Sequence, residues 1–409
     1  MTLHSTNELR AINRLAVLSS IARADSVSRA TIAQNTGLTL AAISRITREL
    51  IEAGVVVEGD EIKLEGAGRR TRYLSLSSTA ASIVVMVISA NRRAVGIANC
   101  RGEIVASVEL PKLDLSMAKN AILFFCKKAL SLIDATGIDQ NKILGVSVVV
   151  AANTDPANND SICSPVLEWK NIPAKSLIEN ALNLPVHLEA RAVALLDTEL
   201  WHRPAQRSQS IVLINNGWRL GSSVYVNNQL LQTSNARLGQ IAHLPITGEN
   251  SRCYCGQTGC LDSLASGAAI VNNLECSNLM KFDSSQPLNQ RLSQALVESQ
   301  NSADIAEVFR MAGEKLGEGL KSVVSLFSPE RILIAGNTCR QSDYFFGVQE
   351  RLRSTLEHHA NCELVACNVS SIDAAVVSGL KTFLLTDSLN ISRLIHSKVQ
   401  SRTPARKIS

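Results

Sequence analysis

The spacing of apolar residues along the chain changes near residue 80. Upstream, "NELRAINRLAVLSSIARA" sets Leu9, Ile12, Leu15, Ala16 and Leu18 at helical intervals. "SVSRATIAQNTGLTLAAISRITRELIEAGVV" then predicts two more helices around a short turn. Ser28 and Thr39 suit their N-caps, Gly37 punctuates the turn, and Gly54 suits the end of the second. On a wheel of that second helix, Ile43, Ile46, Leu50 and Ile51 share one arc, while Ala41, Ser44, Arg45 and Arg48 share the opposite one. "VVVEGDEIKLEGAGRRTRYLSLS" follows and alternates like a two-stranded hairpin. Helices around a tight turn followed by a hairpin predict a winged helix-turn-helix.

Downstream, short apolar runs alternate with helical ones. "SIVVMVIS", "RAVGIAN" and "EIVASVEL" predict successive strands, "MAKNAILFFCKKALSLIDATG" a helix, "KILGVSVVVAA" a buried strand, "PAKSLIENALN" a helix and "LPVHLEA" a strand. "SIVLIN", "SVYVNNQLL" and "RILIAGN" broadly repeat the pattern after residue 209. Strands joined by crossover helices imply an α/β fold with mixed sheets, and the repetition implies two related lobes with a cleft between them. The expected division is a winged helix-turn-helix over 1–78, a first α/β lobe over 79–195, a second over 196–388, and a C-terminal helix end with the basic tail "SKVQSRTPARKIS" over 389–409.

Composition narrows the function classes. With 409 residues, two or three domains are expected, and only 4% aromatic content means an aliphatic core. No run of apolar residues is long enough for a membrane span, and "MTLHSTNELR" lacks the basic-then-apolar order of a signal peptide. A cytoplasmic protein without membrane insertion is therefore expected. The net charge of +5 permits a nucleic-acid partner without requiring one, so local distribution decides. Small residues beside Arg45 and Arg48 would let a helix approach a major groove closely, because arginine reaches guanine edges or phosphates. Arg69, Arg70 and Arg72 would form a basic wing against phosphates. With Arg29, Thr39, Ala41 and Ser44, these are the candidate contacts to double-stranded operator DNA. A small helical domain with a solvated charged face would share the same periodicity; the wing arginines placed directly after the helices favour DNA. Arg14, Arg23 and Glu49 read as surface.

"RCYCGQTGCLD" concentrates three of the ten cysteines in one short array. A metal site, a redox pair and simple burial are all open readings of such a cluster. The scattered remainder, Cys100, Cys126, Cys163, Cys276, Cys339, Cys362 and Cys367, read as buried small hydrophobes.

The wider segment "LGQIAHLPITGENSRCYCGQTGCLDSLAS" resembles the signature of the ROK family, which joins repressors, open reading frames and sugar kinases. The family pattern sets Glu-x-Gly-His ahead of C-x-C-G-x-x-G-C-L-E, and here His243 stands before Cys253, Cys255 and Cys260 at the matching interval. Three thiolates and an imidazole make a closed tetrahedral shell suited to structural zinc, and Gly256 and Gly259 let the chain wrap around the ion. The redox reading leaves His243 and Cys260 unexplained. "SPVLEWKNIPAKSLIENALNLPVHLEARAVALLDTEL", "VVSLFSPERILIAGN" and "IDAAVVSGL" are similar to further family segments, so the resemblance spans nearly the whole chain and implies a two-lobed actin-like, sugar-kinase-like fold.

Family members with an added winged helix are repressors of sugar genes, and those without it are usually kinases. The family's first phosphate turn, Asp-x-Gly-x-Thr, falls at Ile88-Ser89-Ala90-Asn91-Arg92-Arg93, which has neither glycine nor carboxylate. In the second, Gly217 and Gly221 remain, but Trp218 and Arg219 crowd the phosphate position. The family's Asn-Asp pair becomes Leu188-Glu189, its Glu-x-Gly-His glutamate becomes Gln240, the acid after the third cysteine becomes Asp262, and its Pro-Gly becomes Ala151-Ala152. These departures imply a regulator and not an enzyme. Glu189, Gln240, His243 and Asp262 are the candidate contacts to a sugar or sugar-phosphate effector; a sugar-transport protein partner, or a cleft kept only as scaffold, are the alternatives. A homodimer or tetramer on a palindromic operator is expected. A sugar or amino-sugar kinase with an accessory DNA-binding domain is the competing reading.

Overall fold

The computed structural model describes residues 6–62, 71–90, 92–110, 117–154, 160–164, 166–203, 210–227, 229–231, 240–283, 286, 288–358 and 362–391. The chain begins with helix α1 (Thr6–Ala22), the two-residue strand β1 (Val27–Ser28), and helices α2 (Arg29–Thr36) and α3 (Leu40–Glu52). Both caps expected from the sequence form. Ser28 Oγ accepts from the Thr31 N–H at 3.1 Å, and Thr39 Oγ1 accepts from the Ala42 N–H at 3.3 Å. Gly37 closes α2 in the left-handed conformation, φ 70°, where an L side chain is strained. Strands β2 (Val56–Ile62) and β3 (Thr71–Leu76) make the hairpin, and β1 adds to β3 in the register Val27↔Leu74. The wing is thus three-stranded, one strand more than expected, because the short segment between α1 and α2 is extended. Ile43, Ile46 and Leu50 of α3 are buried as their arc required.

The body contains two five-stranded sheets. The first comprises β4 (Ser82–Ile88), β5 (Arg93–Asn99), β6 (Ile104–Glu109), β7 (Ile143–Val150) and β11 (Val186–Ala190), in the order β11-β7-β4-β5-β6. The second comprises β12 (Ser210–Asn216), β13 (Leu220–Val226), β14 (Gln229–Leu230), β15 (Arg331–Ala335) and β16 (Glu363–Cys367), in the order β14-β13-β12-β15-β16. In each sheet the first three strands are antiparallel neighbours, and the later two add parallel to the first. The duplication read from the sequence is therefore a repeated topology. Strands β4, β5 and β7 are buried along their whole lengths, as central strands covered on both faces must be.

Helices α4 (Ala118–Thr136) and α5 (Ala174–Leu182) cover one face of the first sheet and share its apolar core. Between β7 and α5 lies a small sheet that the sequence did not announce, formed by β8 (Asn153–Thr154), β9 (Ser161–Ser164) and β10 (Trp169–Pro173), with Trp169 fully buried. The second lobe adds α7 (Asp262–Ala265), α8 (Gly267–Cys276), α9 (Leu288–Glu298), α10 (Ala303–Phe327) and α11 (Ser342–His358). Two helices cross the expected lobe division. The boundary at 195/196 falls inside α6 (Arg191–His202), which touches strands of both sheets. Helix α12 (Ser371–Gly379) follows the second sheet in sequence but lies on the first: a Cβ at Gly379 would stand 2.8 Å from Ile83 and 2.9 Å from Ser147. A π-helical turn, Leu380–Leu384, continues it.

A third apolar cluster has the widest reach. It runs from Leu18, Ile43 and Leu50 of the winged helix through Ala81 and Ile83 to Leu196 of α6 and to Leu385, Leu389 and Ile391 beyond α12. Among the described residues no helix is long and apolar enough to cross a membrane. Of the scattered cysteines, Cys163 and Cys276 are exposed, contrary to expectation, because they sit at the rim of the small sheet and the open end of α8.

Glycines set the contact between α10 and α11. A Cβ at Gly313 would overlap the Tyr344 carbonyl, and one at Gly317 would stand 2.8 Å from the Val348 carbonyl oxygen. Gly313→Ala must push the helices apart, and a cost of about 1–3 kcal/mol is expected from overpacking. Urea denaturation of the variant should show a lower midpoint, with the slope unchanged.

Candidate nucleic-acid interface, metal centre and cleft

Helix α3 presents Ala41, Arg45 and Arg48 to solvent, with Ser44 partly exposed. Neither Arg45 nor Arg48 has an ion-pair partner among the described residues. Thr39 is exposed and committed to its cap through one lone pair, which leaves its hydroxyl proton available. The other basic candidates are held differently. Arg29 donates to Thr47 Oγ1 at 3.2 Å and to Glu58 Oε1 at 2.7 Å, and Arg72 donates to the second Glu58 oxygen at 3.2 Å. Glu58 thus half-neutralises the wing base, and the Arg29 hydrogen bond holds its carboxyl below the usual range. Arg69 and Arg70 lie outside the described residues.

The cysteine array forms a tight knot. Cys253 N–H donates to the Gln257 carbonyl at 2.8 Å, Gly256 N–H to the Cys253 carbonyl at 3.0 Å, and Gly259 N–H to the Ser251 carbonyl at 2.9 Å. Gly256 and Gly259 turn at φ 94° and 71°, conformations that exclude most side chains. A 3-10 turn at Ile241–His243 brings the imidazole in. His243 Nδ1 lies 3.7 Å from Cys253 Sγ, Cys255 Sγ lies 3.7 Å from Cys260 Sγ, and all four donor atoms fall within 4.8 Å of one another. A tetrahedron with metal–sulfur arms of ~2.3 Å and metal–nitrogen arms of ~2.0 Å has edges of about 3.5–3.8 Å. The four residues can hold a metal ion, and the shell leaves no open position. Burial pushes the Cys260 thiol up to about 12 and raises Cys253, whereas a backbone hydrogen bond from Gln257 lowers Cys255. An ion binding here must displace those protons.

The knot is anchored to the turn between β12 and β13. Asp262, fully buried, accepts from the Leu220 N–H at 2.8 Å and from Arg219 Nη1 at 2.8 Å. Burial raises its carboxyl, and Arg219 opposes the rise. The Arg219 guanidinium also covers the Tyr254 ring at 4.5 Å, and Tyr254 Oη lies 3.2 Å from His243 Nε2. With Nδ1 facing the metal, Nε2 carries the proton and donates to Tyr254, which fixes the tautomer. Of the expected effector contacts, Asp262 has no open face, and both His243 nitrogens are engaged. Gln240 is exposed at the start of the 3-10 turn. Glu189 ends β11, accepts from the Ala190 N–H at 3.0 Å, and lies 3.4 Å from His187 Nε2. The four effector candidates therefore do not converge: Glu189 belongs to the first sheet and the other three to the second lobe.

Known proteins place this architecture. The model of the ROK family matches residues 92–382, and a winged helix-turn-helix DNA-binding model matches residues 10–57. The chain belongs to the ROK family. It is 26% identical to the xylose repressor of Caldicellulosiruptor bescii, across 93% of this chain and 97% of that one. The crystal structure of a ROK transcriptional regulator, described as a homologue of the Escherichia coli MLC protein, superposes with a TM-score of 0.74 at 21% identity, over 95% and 100% of the two chains. A ROK hexokinase from Thermus thermophilus gives 0.58 at 18% identity, over 74% of this chain and 98% of that one.

Within this ROK chain, the residues that sequence reasoning passed over are the ones that tie the winged helix to the body. Arg14 donates to the Leu389 carbonyl at 3.2 Å and the Asp387 carbonyl at 3.4 Å, and it also faces Glu49 at 3.6 Å. Arg23 lies over the Trp201 ring of α6 at 5.6 Å. Arg101 Nε donates to the Leu76 carbonyl at 2.7 Å. Arg14, Arg23 and Glu49 are thus structural ties and not plain surface.

Two outcomes are expected. Cys253→Ser opens the shell, so purified variant should carry well under half the metal per chain of the parent, by elemental analysis; full metal content would show that the knot is not the site. Glu58→Gln releases Arg29 and Arg72 onto the DNA face. Titrations of bulk duplex DNA against salt should then steepen by ~0.9 in log–log slope for each phosphate gained.

Proposed function

We propose that this ROK chain is a DNA-binding repressor of sugar-metabolism genes. The observation that carries the proposal is the α3 face: Arg45 and Arg48 stand exposed and unpaired beside small residues, on a winged helix whose core is continuous with the body. Small residues allow groove entry, and the arginine forks discriminate guanine edges by about 1–3 kcal/mol for each bidentate pair. The likeness to the xylose repressor supports the assignment. A homodimer or tetramer would set two α3 helices on a palindromic operator with half-sites about one or two helical turns apart.

Structural zinc is the ion the donor set fits, since three thiolates and an imidazole select a borderline-soft tetrahedral cation. It would hold Asp262, and through Asp262 the β12–β13 turn, at the cleft. An effector, either a sugar-type small molecule or a partner protein, would act at or near that cleft by favouring one arrangement of the lobes. A kinase reading is supported by the hexokinase likeness but not by the first phosphate position. There Ser89 and Arg92 close a tight turn on each other, with Ser89 N–H donating to the Arg92 carbonyl at 3.0 Å, and no carboxylate stands between them.

The test is capture of sheared genomic DNA by the zinc-loaded protein at moderate salt, followed by sequencing. Enrichment of a few palindromic sites is expected, and Arg45→Ala should weaken those sites tenfold or more while relaxing their sequence preference. Retention of bulk DNA alone, together with turnover of ATP over a panel of hexoses, would replace the repressor with a kinase.

A further inference from the structure

The first sheet ends in a line of positive charge that the reading above leaves unused. Ile88, Val150 and Ala190 are in register across β4, β7 and β11, and Ile88 pairs with Arg93 on β5. The residue that follows Ala190 is Arg191, the first of α6. Carboxyl ends of parallel strands are where open α/β sheets take their ligands. At this edge, three arginines meet two carboxylates. Arg92 pairs with Glu109 through Nε at 2.9 Å and Nη2 at 2.8 Å, both onto the same oxygen and both exposed, so the pair is weak. Arg93 is buried and donates to the Ala90 carbonyl at 3.1 Å. Glu189 is taken by His187 and the Ala190 N–H.

Arg191 has neither. Its Nε is buried with no hydrogen-bond partner among the described residues. Burial and the nearby Arg92 charge push the guanidinium down to about 10, which still leaves it charged at neutral pH. The second lobe closes on the same spot. Ser223 Oγ donates to the Ala192 carbonyl at 2.9 Å, and a Cβ at Gly221 would lie 3.8 Å from Ala192 Cβ and 3.9 Å from Asn215 Nδ2. Asn215 Oδ1 is also buried without a partner. A buried guanidinium and a buried amide oxygen, both unsatisfied and both at the seam between lobes, are costly unless something bridges them.

We propose that Arg191, with Arg92 and Arg93, forms a subsite for the phosphomonoester group of a sugar phosphate, and that Asn215 and Glu189 accept from its hydroxyls. The planar arginine fork matches a phosphate dianion and would satisfy the orphaned Nε. The inference rests on the effector-controlled reading above and narrows the effector to a phosphorylated one. Helix α6 would carry the consequence. Its 12 residues span about 18 Å, with Arg191 at one end and, at the other, Trp201 beneath Arg23 of the winged helix.

The test needs no DNA, so its failure and that of the repressor assignment are distinguishable. The zinc-loaded full chain is titrated calorimetrically with inorganic phosphate, glucose 6-phosphate, ATP and free glucose. Glucose 6-phosphate or inorganic phosphate should bind at least tenfold more tightly than free glucose, and Arg191→Met should weaken the phosphate ligands tenfold or more, with metal content and melting temperature retained. Tighter binding of ATP would reassign the subsite to a nucleotide and overturn the proposal, as would phosphate affinity within twofold of the parent in Arg191→Met. Arg92→Gln, at an exposed position, should weaken the same ligands about threefold and serves if Arg191→Met fails to fold; unchanged affinity there overturns the proposal equally.

Discussion

Helix α6 is the constraint from which the rest of this architecture hangs. Its N-terminal end abuts β13 through the Ser223–Ala192 hydrogen bond. Midway, Asp197 pairs with Lys381 at 2.6 Å, just beyond α12. Glu199, almost wholly buried, takes Arg203 at 2.7 Å and lies 3.8 Å from Arg331 at the start of β15. Trp201 then meets Arg23 of the winged helix. A buried carboxylate between two arginines tolerates little displacement, because removing either partner leaves charge stranded in a poor solvent. The helix therefore cannot tilt at one end without disturbing the first sheet, the second sheet, α12 or α1.

The metal knot solves a different problem. Residues 249–258 are nearly all exposed apart from Cys253, so that stretch has almost no apolar area with which to hold a shape. Four ligand bonds would replace the missing core and release protons from thiols that burial otherwise keeps protonated. The order so gained passes inward through Asp262 to Arg219 and the β12–β13 turn. In the kinase-like frame of this fold that turn faces the cleft, so a loop with no chemistry of its own shapes the surface a ligand would meet.

Much of this was legible in the sequence. Continuous apolar runs identified β4, β5, β7, β12 and β15, and the caps at Ser28 and Thr39 fixed the helix starts, because such signals are local. The small sheet was not legible: β10 carries a register shift between Trp169 and Ile172, with positive φ at Glu168 and Asn171, so its period is broken where it would have been read. β16 is short and only partly buried, which weakens its alternation. The metal ligands were found because His243 and the cysteines lie close along the chain at informative intervals. Arg14, Arg23 and Arg191 were missed for the opposite reason. Their meaning lies in Leu389, Trp201 and the seam between lobes, far off in sequence, and an arginine on a helix looks the same whether it faces water or a distant carbonyl.

That non-local wiring bears on how a two-lobed fold can govern DNA at all. The winged helix shares one apolar cluster with the first sheet, α6 and the segment after α12, so it moves with them and not as a free module. Its remaining ties, Arg14 to the carbonyls of Asp387 and Leu389 and Arg23 to Trp201, end on chain that emerges from the two helices crossing between lobes. Any change in the angle between the sheets must be absorbed by α6 and α12, because they alone among the described helices bridge the division. It is then delivered to α1, which Arg10 and Arg14 join to Glu49 of α3. Packed interiors pass such displacements on because they compress little. A cleft that once had to align reactants needs only to close by a different amount to change where two recognition helices stand.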